Sequence, residues 1–451
     1  MTDGAGGLPK VVFTGDEAAS STGEAVQMRD SSIGGLLAEP AGMTAATEGT
    51  ANRLAAWAFR LTPSPDDLAL AGRALADTLA VTLAARTDPI RAVLAGEPEA
   101  LQWAALGHVL DFDDLHMPST THISVVCVPT VLACGGDARA YLAGAGVMAR
   151  LGTALGWPHY TAGWHATCTA GAQAAAVAAG VALRLSETEL ATAIALALPA
   201  AGGVQRAFGA HAKSLQVGFA AHAGIRAARL AAAGATADPL AVDQWLRLVG
   251  GDPERLDTGG PAVPDGLAIK IFPCCYAMQR PIAAIQDLVG DGLAVERITR
   301  IRVSTPKATI APLIHDRPTT GLQAKFSLPY AIAAALLDGH PGFASFTDAA
   351  VQRPAARRLV DMVEVSALPG GDGLLAGEVH IEVDLDDGTS RTVTLDQPPG
   401  APARPPTAEQ LAAKLADCAP DAHHQLTDLT WEAARELLRT AVPTHASNRM
   451  D

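Results

Sequence analysis

The sequence predicts a mainly α-helical protein, with a large all-helical domain and a smaller α+β domain inserted into it. Three observations support this fold class. Segments rich in Ala and Leu, with apolar residues at helical spacing, run from Thr50 to about Ala233. Alternating polar and apolar residues come only later, near Arg300 and Glu378, and helical spacing returns after Gly400. Ala-rich segments favour closely packed helices, so the first part is predicted to be the helical domain.

These changes in pattern divide the chain into four segments. The first, 1–46, is rich in Gly, Ala, Ser and Thr without an apolar period, and is predicted to be a mobile extension. The helical domain covers 47–265 and returns over 401–445. The α+β unit lies between them, over 266–400. A chain of 451 residues is long enough for two or three cores.

Local patterns place individual elements. Apolar spacing predicts a helix from Thr50 to Leu61, and a new helix restarts at Pro65. Three strands are predicted, two of them joined by the Asp387-Gly388 hairpin turn; they cover 300–304, 378–385 and 391–395. Further helices are predicted over 327–337, 354–363, 407–418 and 429–441. The apolar stretch 167–183 contains Gln173 and several glycines, which favours a buried helix over a membrane span.

Composition excludes several classes of function. The formal net charge of -14 and the lack of a Lys/Arg run argue against nucleic-acid binding. No signal peptide is apparent at the N-terminus. The six cysteines show no C-x-x-C spacing and form no disulfide framework, so a metal or iron–sulfur site is not predicted, and a reducing cytoplasm is the expected location.

The segment 111–122, DFDDLHMPSTTH, is the strongest candidate site. It places three carboxylates and two imidazoles, His116 and His122, within twelve positions between two apolar segments. A carboxylate beside an imidazole holds one tautomer and tunes its basicity, which suits proton transfer. The alternative is a polar helix end, with the aspartates as caps and the histidines exposed.

Two further segments place a titratable group among small residues. His165 precedes an Ala-rich helix, whose N-terminus favours a substrate carboxylate; the alternative is a histidine that only caps and packs. Lys213 is flanked by glycines at 209 and 218 in a chain with few lysines, which suits a buried cation; the alternative is a surface lysine on a loop.

The last candidates lie in the segment 270–330. Lys270 and Cys275 fall at the junction of the two predicted domains, where ligand clefts often form, although most free cysteines are simply buried. Arg280, beside Gln279, is able to pair with a carboxylate. Tyr330 is either a site hydroxyl or a packed aromatic residue.

In this order and spacing, the segments resemble the MmgE/PrpD family, which includes 2-methylcitrate dehydratases, cis-aconitate decarboxylases and iminodisuccinate epimerases. The resemblance extends from about Thr50 to Ala441. It implies a helical domain with an α+β lid, usually a homodimer, and chemistry that uses no metal, flavin or nicotinamide. It also implies that the active-site positions are Asp111, His122, His165, Lys213, Lys270 and Tyr330, with Cys275 where the decarboxylase branch carries a histidine.

Two segments depart from the family pattern. Leu115 replaces a common Thr after Asp-Phe-Asp-Asp, and Met278-Gln279 replaces a common Thr-His. A buried polar substrate group without its partner costs roughly 1–3 kcal/mol. The departures therefore predict a less highly charged or larger substrate than methylcitrate or cis-aconitate, of the kind found in specialised metabolism. Leu115, His116, Gln279 and Arg280 are accordingly predicted to contact the substrate.

The hypothesis for the chemistry is a lyase that removes a proton next to a carboxylate or carbonyl and then eliminates at the β position. His165 transfers the proton, and His122 is its counterpart on the other side. Lys213 and Lys270 neutralise substrate charge, and Asp111 orients a neighbouring donor.

Two alternatives remain open. One is a decarboxylase or epimerase that uses the same cleft. The other is a non-catalytic relative that binds a ligand, which Leu115 and Gln279 favour.

Overall fold

The helices form where the sequence places Ala, Leu and capping residues. The computed structural model describes residues 49–443; the extension predicted over 1–46 lies outside these residues. The first eleven helices are α1 (Thr50–Arg60), α2 (Pro65–Ala84), α3 (Ile90–Val93), α4 (Glu99–Val109), α5 (Ser124–Cys134), α6 (Ala138–Thr161, interrupted at Gly156), α7 (Ala166–Ala182), α8 (Glu187–Ala197), α9 (His211–Ala232), α10 (Ala241–Leu248) and α11 (Tyr276–Gly290).

The remaining elements include all four strands of the described residues. They are β1 (Ile298–Pro306), α12 (Lys307–Ile310), α13 (Gly321–Ala324), α14 (Leu328–Asp338), α15 (Asp348–Val351), α16 (Pro354–Met362), β2 (Val363–Leu368), β3 (Val379–Leu385), β4 (Ser390–Leu395), α17 (Ala408–Cys418), α18 (His423–Leu426) and α19 (Trp431–Ala441). The mainly α-helical class is confirmed.

Helix α2 shows how local sequence sets a helix start. Ser64 caps it, and its side chain accepts a hydrogen bond from the Asp67 amide while the Asp67 carboxylate accepts one from the Ser64 amide. Pro65 occupies the first helical position, where its missing amide hydrogen costs nothing. The segment 65–87 is long and apolar enough to cross a membrane, but 67% of its apolar window is buried inside the protein, as in the core helix of a globular domain.

Helix α7 lies at the centre of the helical part and packs against α5, α6, α8 and α9. Small residues make this close packing possible. A Cβ atom at Gly224 of α9 would lie 2.4 Å from the Cβ of Ala175 in α7 and 2.6 Å from the carbonyl oxygen of Ala172. Because α7 is surrounded by helices, a residue at its N-terminus is buried. His165 occupies that position.

The sheet has the strand order β2-β1-β3-β4. β1 pairs antiparallel with β3 and parallel with β2, and β3 pairs antiparallel with β4 through the hairpin at Gly388. The sequence pattern did not predict β2. This strand follows α16 directly at Val363 without a turn residue, and its partner β1 lies more than fifty positions earlier, so no local pattern marks it.

Buried apolar residues form two large cores. The first contains residues from 51–263 and 418–442, and the second contains Phe208 and residues from 271–385. A third, small cluster joins Leu115 and Tyr160 to Tyr276 and Leu374. The described residues belong to one compact unit, and the sheet and its helices form the second core of that unit.

Candidate active site

The turn between α4 and α5 carries the central carboxylate. Asp111 has a φ of +53° and Thr120 has the same value, in the left-handed region that residues other than glycine rarely adopt. Such strained positions persist only where the surrounding structure holds them, and they are frequent at functional sites. The turn is tied to the second part of the chain by paired backbone hydrogen bonds between Leu115 and Ala268, of 2.9 and 2.8 Å.

Two ammonium groups bind the Asp111 carboxylate. Lys213 Nζ lies 2.7 Å from Asp111 Oδ1, and Lys270 Nζ lies 3.3 Å from the same oxygen. Burial would raise the pKa of Asp111, but Lys213 and Lys270 hold it well below its usual range. Burial likewise would lower the pKa of Lys270, and Asp111 and Asp113 raise it above its usual value. Asp111 is therefore a carboxylate, and Lys270 an ammonium, at neutral pH.

His108 extends this network behind Asp111. Lys213 Nζ donates to His108 Nε2 at 2.6 Å, and His108 Nδ1 lies 2.8 Å from Asp113 Oδ2. These partners are compatible with one neutral tautomer, in which Nδ1 carries the hydrogen and donates to Asp113. Burial lowers the pKa of His108 to about 4, which agrees with a neutral ring.

His122 lies on the other side of Asp113. Its Nδ1 is 3.0 Å from Asp113 Oδ2, and its backbone amide donates to Thr167 Oγ1 of α7 at 3.1 Å. The Nδ1 contact is not aligned as a hydrogen bond, so it acts mainly through charge. Burial lowers the pKa of His122, and the neighbouring Asp113 opposes that shift. The ring centroid of His122 is 4.7 Å from that of His108.

His165 is held by one ring nitrogen only. Its Nδ1 lies 3.1 Å from Gln216 Oε1, which accepts from it, and 3.2 Å from Cys168 Sγ. Its Nε2 is buried and has no hydrogen-bond partner among the described residues. Burial, followed by the charge of Lys213, holds the pKa of His165 well below its usual value. His165 is thus a neutral imidazole whose Nε2 lone pair is free to accept a proton.

A narrow cavity joins these groups. Six of the sequence-predicted residues line it, namely Asp111, Leu115, His122, His165, Lys213 and Cys275. The other lining residues are Thr120, Tyr160, Thr167, Phe208, Tyr276, Phe326 and Leu374. The structure therefore brings both histidines and Lys213 to one space. Lys270 is fully buried and reaches this space only through Asp111.

Four other predicted residues lie outside the cavity lining, each held by protein groups. His116 contacts Ser119 Oγ at 2.7 Å and the Pro264 carbonyl oxygen at 2.8 Å. Gln279 binds the 271–272 backbone through both of its amide atoms. Arg280 donates to the carbonyl oxygens of residues 377 and 396. Tyr330 donates to the carbonyl oxygen of residue 345 at 2.5 Å. Most of their polar groups bind the protein itself, and contact with the substrate at these four positions stays a prediction.

Sequence reasoning missed several residues of the site. His108 lies in the last turn of the apolar helix α4, and nothing in the neighbouring sequence indicated that it contacts Lys213. Phe208 and Phe326 place their rings 5.4 and 5.3 Å from Lys213 Nζ. A polar side chain at the end of an otherwise apolar helix was the available sign for His108. The two phenylalanines gave no such sign, because aromatic residues usually mean core packing.

His108, Asp113 and His122 are also the group of possible metal ligands found among the described residues, with donor atoms within 4.8 Å of one another. Their hydrogen-bond and charge contacts already account for this proximity. Lys213 occupies the second nitrogen of His108, and an ammonium at 2.6 Å disfavours another cation on the same ring.

Comparison with known proteins identifies the family. The MmgE/PrpD N-terminal domain model matches residues 91–245, and the MmgE/PrpD C-terminal domain model matches residues 272–438. A cis-aconitate decarboxylase of Aspergillus terreus is 26% identical over 348 residues, which cover 67% of this chain and 70% of that protein. A human cis-aconitate decarboxylase is 27% identical over 298 residues, which cover 61% of this chain and 59% of that protein. The chain belongs to the MmgE/PrpD family, whose members are dehydratase- and decarboxylase-like lyases.

Proposed function

We propose that this protein is a cofactor-independent lyase that removes a proton from carbon next to a carboxylate or carbonyl group and eliminates a β substituent, as a dehydratase does. The observation that carries the proposal is the free Nε2 of His165 in a cavity that also contains Lys213 and His122. A neutral, unpartnered imidazole nitrogen is suited to accept a proton, and a nearby ammonium stabilises the negative charge that forms.

Each group has a separate role in this mechanism. His165 Nε2 takes the proton, and the carbon–hydrogen electron pair moves towards the substrate carbonyl or carboxylate. Lys213 has three N–H donors and uses two, on His108 and Asp111, which leaves one for the developing negative charge. His122 protonates the leaving group, because Asp113 at 3.0 Å stabilises its charged form. Asp111 holds Lys213 in place, and Lys270 in turn holds Asp111.

The charge balance of the site supports a substrate with few carboxylates. Lys213 and Lys270 are matched by Asp111 and Asp113, and burial lowers the pKa of the three imidazoles. Lys213 and Asp111 cancel among the groups that line the cavity, so a trianion would meet at most one unmatched positive charge, that of a protonated His122. The apolar lining, with Leu115, Tyr160, Cys275, Tyr276 and Leu374, suits a hydrophobic substrate portion. We therefore propose a monocarboxylate, or a carbonyl compound of similar charge, from specialised metabolism.

Decarboxylation in the same cavity is the second candidate, and the names of the relatives favour it. Loss of carbon dioxide leaves a carbanion, which Lys213 would stabilise in the same way and an imidazole would protonate. Epimerisation would need only removal and return of the proton. Release of carbon dioxide, release of water, or loss of optical rotation without a change in mass distinguishes the three reactions. The proposal retains a homodimer and a cytoplasmic location.

The decisive experiment is exchange of carbon-bound hydrogen in deuterated water, with a panel of mono-, di- and tricarboxylic acids and mass spectrometry as the readout. The wild-type protein should catalyse exchange of carbon-bound hydrogen in at least one monocarboxylate. His165→Gln should abolish this exchange, whereas the matched variant of an exposed histidine, His380→Gln, should not. Full exchange in a folded His165→Gln variant would refute the assigned base. No exchange with any acid would favour the non-catalytic alternative.

A further inference from the structure

Three buried lysines bind three consecutive backbone carbonyl groups at the end of helix α4. These lysines are between 0 and 4% exposed. Each ammonium donates to its carbonyl oxygen at the same distance of 2.8 Å: Lys325 to Leu110, Lys270 to Asp111 and Lys414 to Phe112. Three separate parts of the chain thus converge on one short segment, which we call the carbonyl clamp.

Helix chemistry explains why ammonium groups bind there. The last carbonyl groups of a helix have no intrahelical partner, and they form its negative end. α4 ends at Val109 with Leu110 as its C-cap, and the turn that follows has no glycine. Lys325 supplies a donor to the carbonyl group of the C-cap, Leu110, and Lys270 and Lys414 supply donors to the next two carbonyl groups, which belong to the turn. The buried ammonium groups in turn obtain the oxygen partners that they need.

The carbonyl clamp includes Asp111, the residue of this turn whose carboxylate binds Lys213. Asp111 keeps its φ of +53° between two clamped neighbours, and its side chain receives Lys213 at 2.7 Å. Lys325 also donates to the carbonyl oxygen of Pro273 at 2.6 Å, and its own carbonyl oxygen accepts from the Cys275 amide at 3.0 Å. It therefore links the Asp111 turn to the segment that carries Cys275, which also lines the cavity.

We infer that Lys325 and Lys414 are positioning residues, which fix the 110–112 backbone in its strained form and thereby orient Asp111 towards Lys213. Neither residue lines the cavity, so each acts through the backbone. Lys414 lies within α17 and Lys325 directly follows the short helix α13, so neither position by itself indicates a role at residues 110–112. The inference deepens the proposed function, since Lys213 is its charge-stabilising group.

The test compares Lys325→Met and Lys414→Met with the exposed control Lys307→Met in the full-length protein. Backbone hydrogen–deuterium exchange, read by mass spectrometry, should rise at least tenfold in peptides covering 108–116 of both variants, and should stay unchanged in α7 and in the control. This measurement needs no substrate, so it stands whether or not the lyase proposal holds. Once a substrate is found, both variants should lose kcat at least tenfold with KM within threefold, and the pH profile should shift.

Three outcomes would overturn the inference. The first is wild-type exchange over 108–116 in both folded variants. The second is a uniform rise across the whole chain, which would mean a purely structural role. The third is faster local exchange with wild-type kcat and pH profile. Because Lys414 also pairs with Asp77 at 2.7 Å, the double variant Asp77→Asn/Lys414→Met replaces the single one if that variant fails to fold.

Discussion

The two walls of the cavity differ in origin and in chemistry. The helical part of the chain contributes all of its imidazole, ammonium and carboxylate groups, namely Asp111, His122, His165 and Lys213. The segment after residue 270 contributes Cys275, Tyr276, Phe326 and Leu374, whose surfaces are mainly apolar. This difference suggests that the first wall carries out the reaction and the second selects the substrate. Changes in the first should alter rates, and changes in the second should alter preference.

The largest effect is expected at Lys213. Lys213→Met should lower the rate of substrate proton exchange by about 10²–10³-fold, because one charge-stabilising donor is lost from a buried site. Asp111 keeps Lys270 as its partner, so the variant should still fold. Steady-state kinetics and circular dichroism check both points, with Lys307→Met as control. Near-normal rates in a folded Lys213→Met protein would contradict the division between the walls.

A smaller effect is expected at Asp113. Asp113→Asn should lower the rate about tenfold at neutral pH, because His122 loses the carboxylate that stabilises its charged form and so donates its proton less often. The same loss removes a charge that raises the pKa of His122, so the optimum should move to lower pH. A full pH–rate profile measures both changes. An optimum that stays in place would count against His122 as the acid.

Asp114, a buried residue behind the reactive wall, provides a test of stability. Burial raises its pKa to about 7 from a usual 3.8, so the folded state binds this proton more tightly than the unfolded state. Its stabilising contribution is therefore complete below about pH 4 and is lost as the pH rises through 7. The free energy of unfolding of Asp114→Asn should change less between pH 5 and pH 8 than that of the wild type. The two changes should differ by a few kcal/mol.

Urea unfolding at pH 5 and at pH 8 measures the free energy of unfolding of both proteins. The exposed variant Asp428→Asn is the control. Equal slopes with pH for the wild type and Asp114→Asn would show that Asp114 is ionised at little cost. Ser124 donates to both oxygens of Asp114, so an asparagine keeps an acceptor for one of these bonds.

The smallest effect is expected at Leu115, which comes from the helical part of the chain but packs in one apolar cluster with Tyr276 and Leu374 of the second wall. Leu115→Thr adds a hydroxyl group to the cavity and should shift the preference towards substrates with a further polar group by roughly 2–10-fold, the worth of one hydrogen bond. Ratios of kcat/KM for a monocarboxylate and a dicarboxylate measure the shift. An unchanged ratio, with both substrates still turned over, would mean that Leu115 does not select the substrate.

Agreement between sequence and structure depended on how local each interaction is. The start of α2 at Pro65, the Asp387-Gly388 hairpin and the bounds of α17 follow from capping, turn and periodicity rules that act over a few residues. β2 was missed because its pairing with β1 is long-range. Within the site, Asp111 and His122 could be predicted because they lie in one short segment rich in titratable residues. His108 could not, because its role depends on its contact with Lys213, which lies 105 positions away.

The sequence by itself determined the helical class, the family and the titratable groups available for chemistry, because composition, periodicity and motif order are properties of neighbouring residues. Only the tertiary structure decided how those groups are used. It buried Lys270 behind Asp111, left one nitrogen of His165 free, and committed Gln279 and Arg280 to backbone oxygens and amides. The physical reason is that burial and charge contacts set protonation and orientation, and both depend on residues distant in the chain.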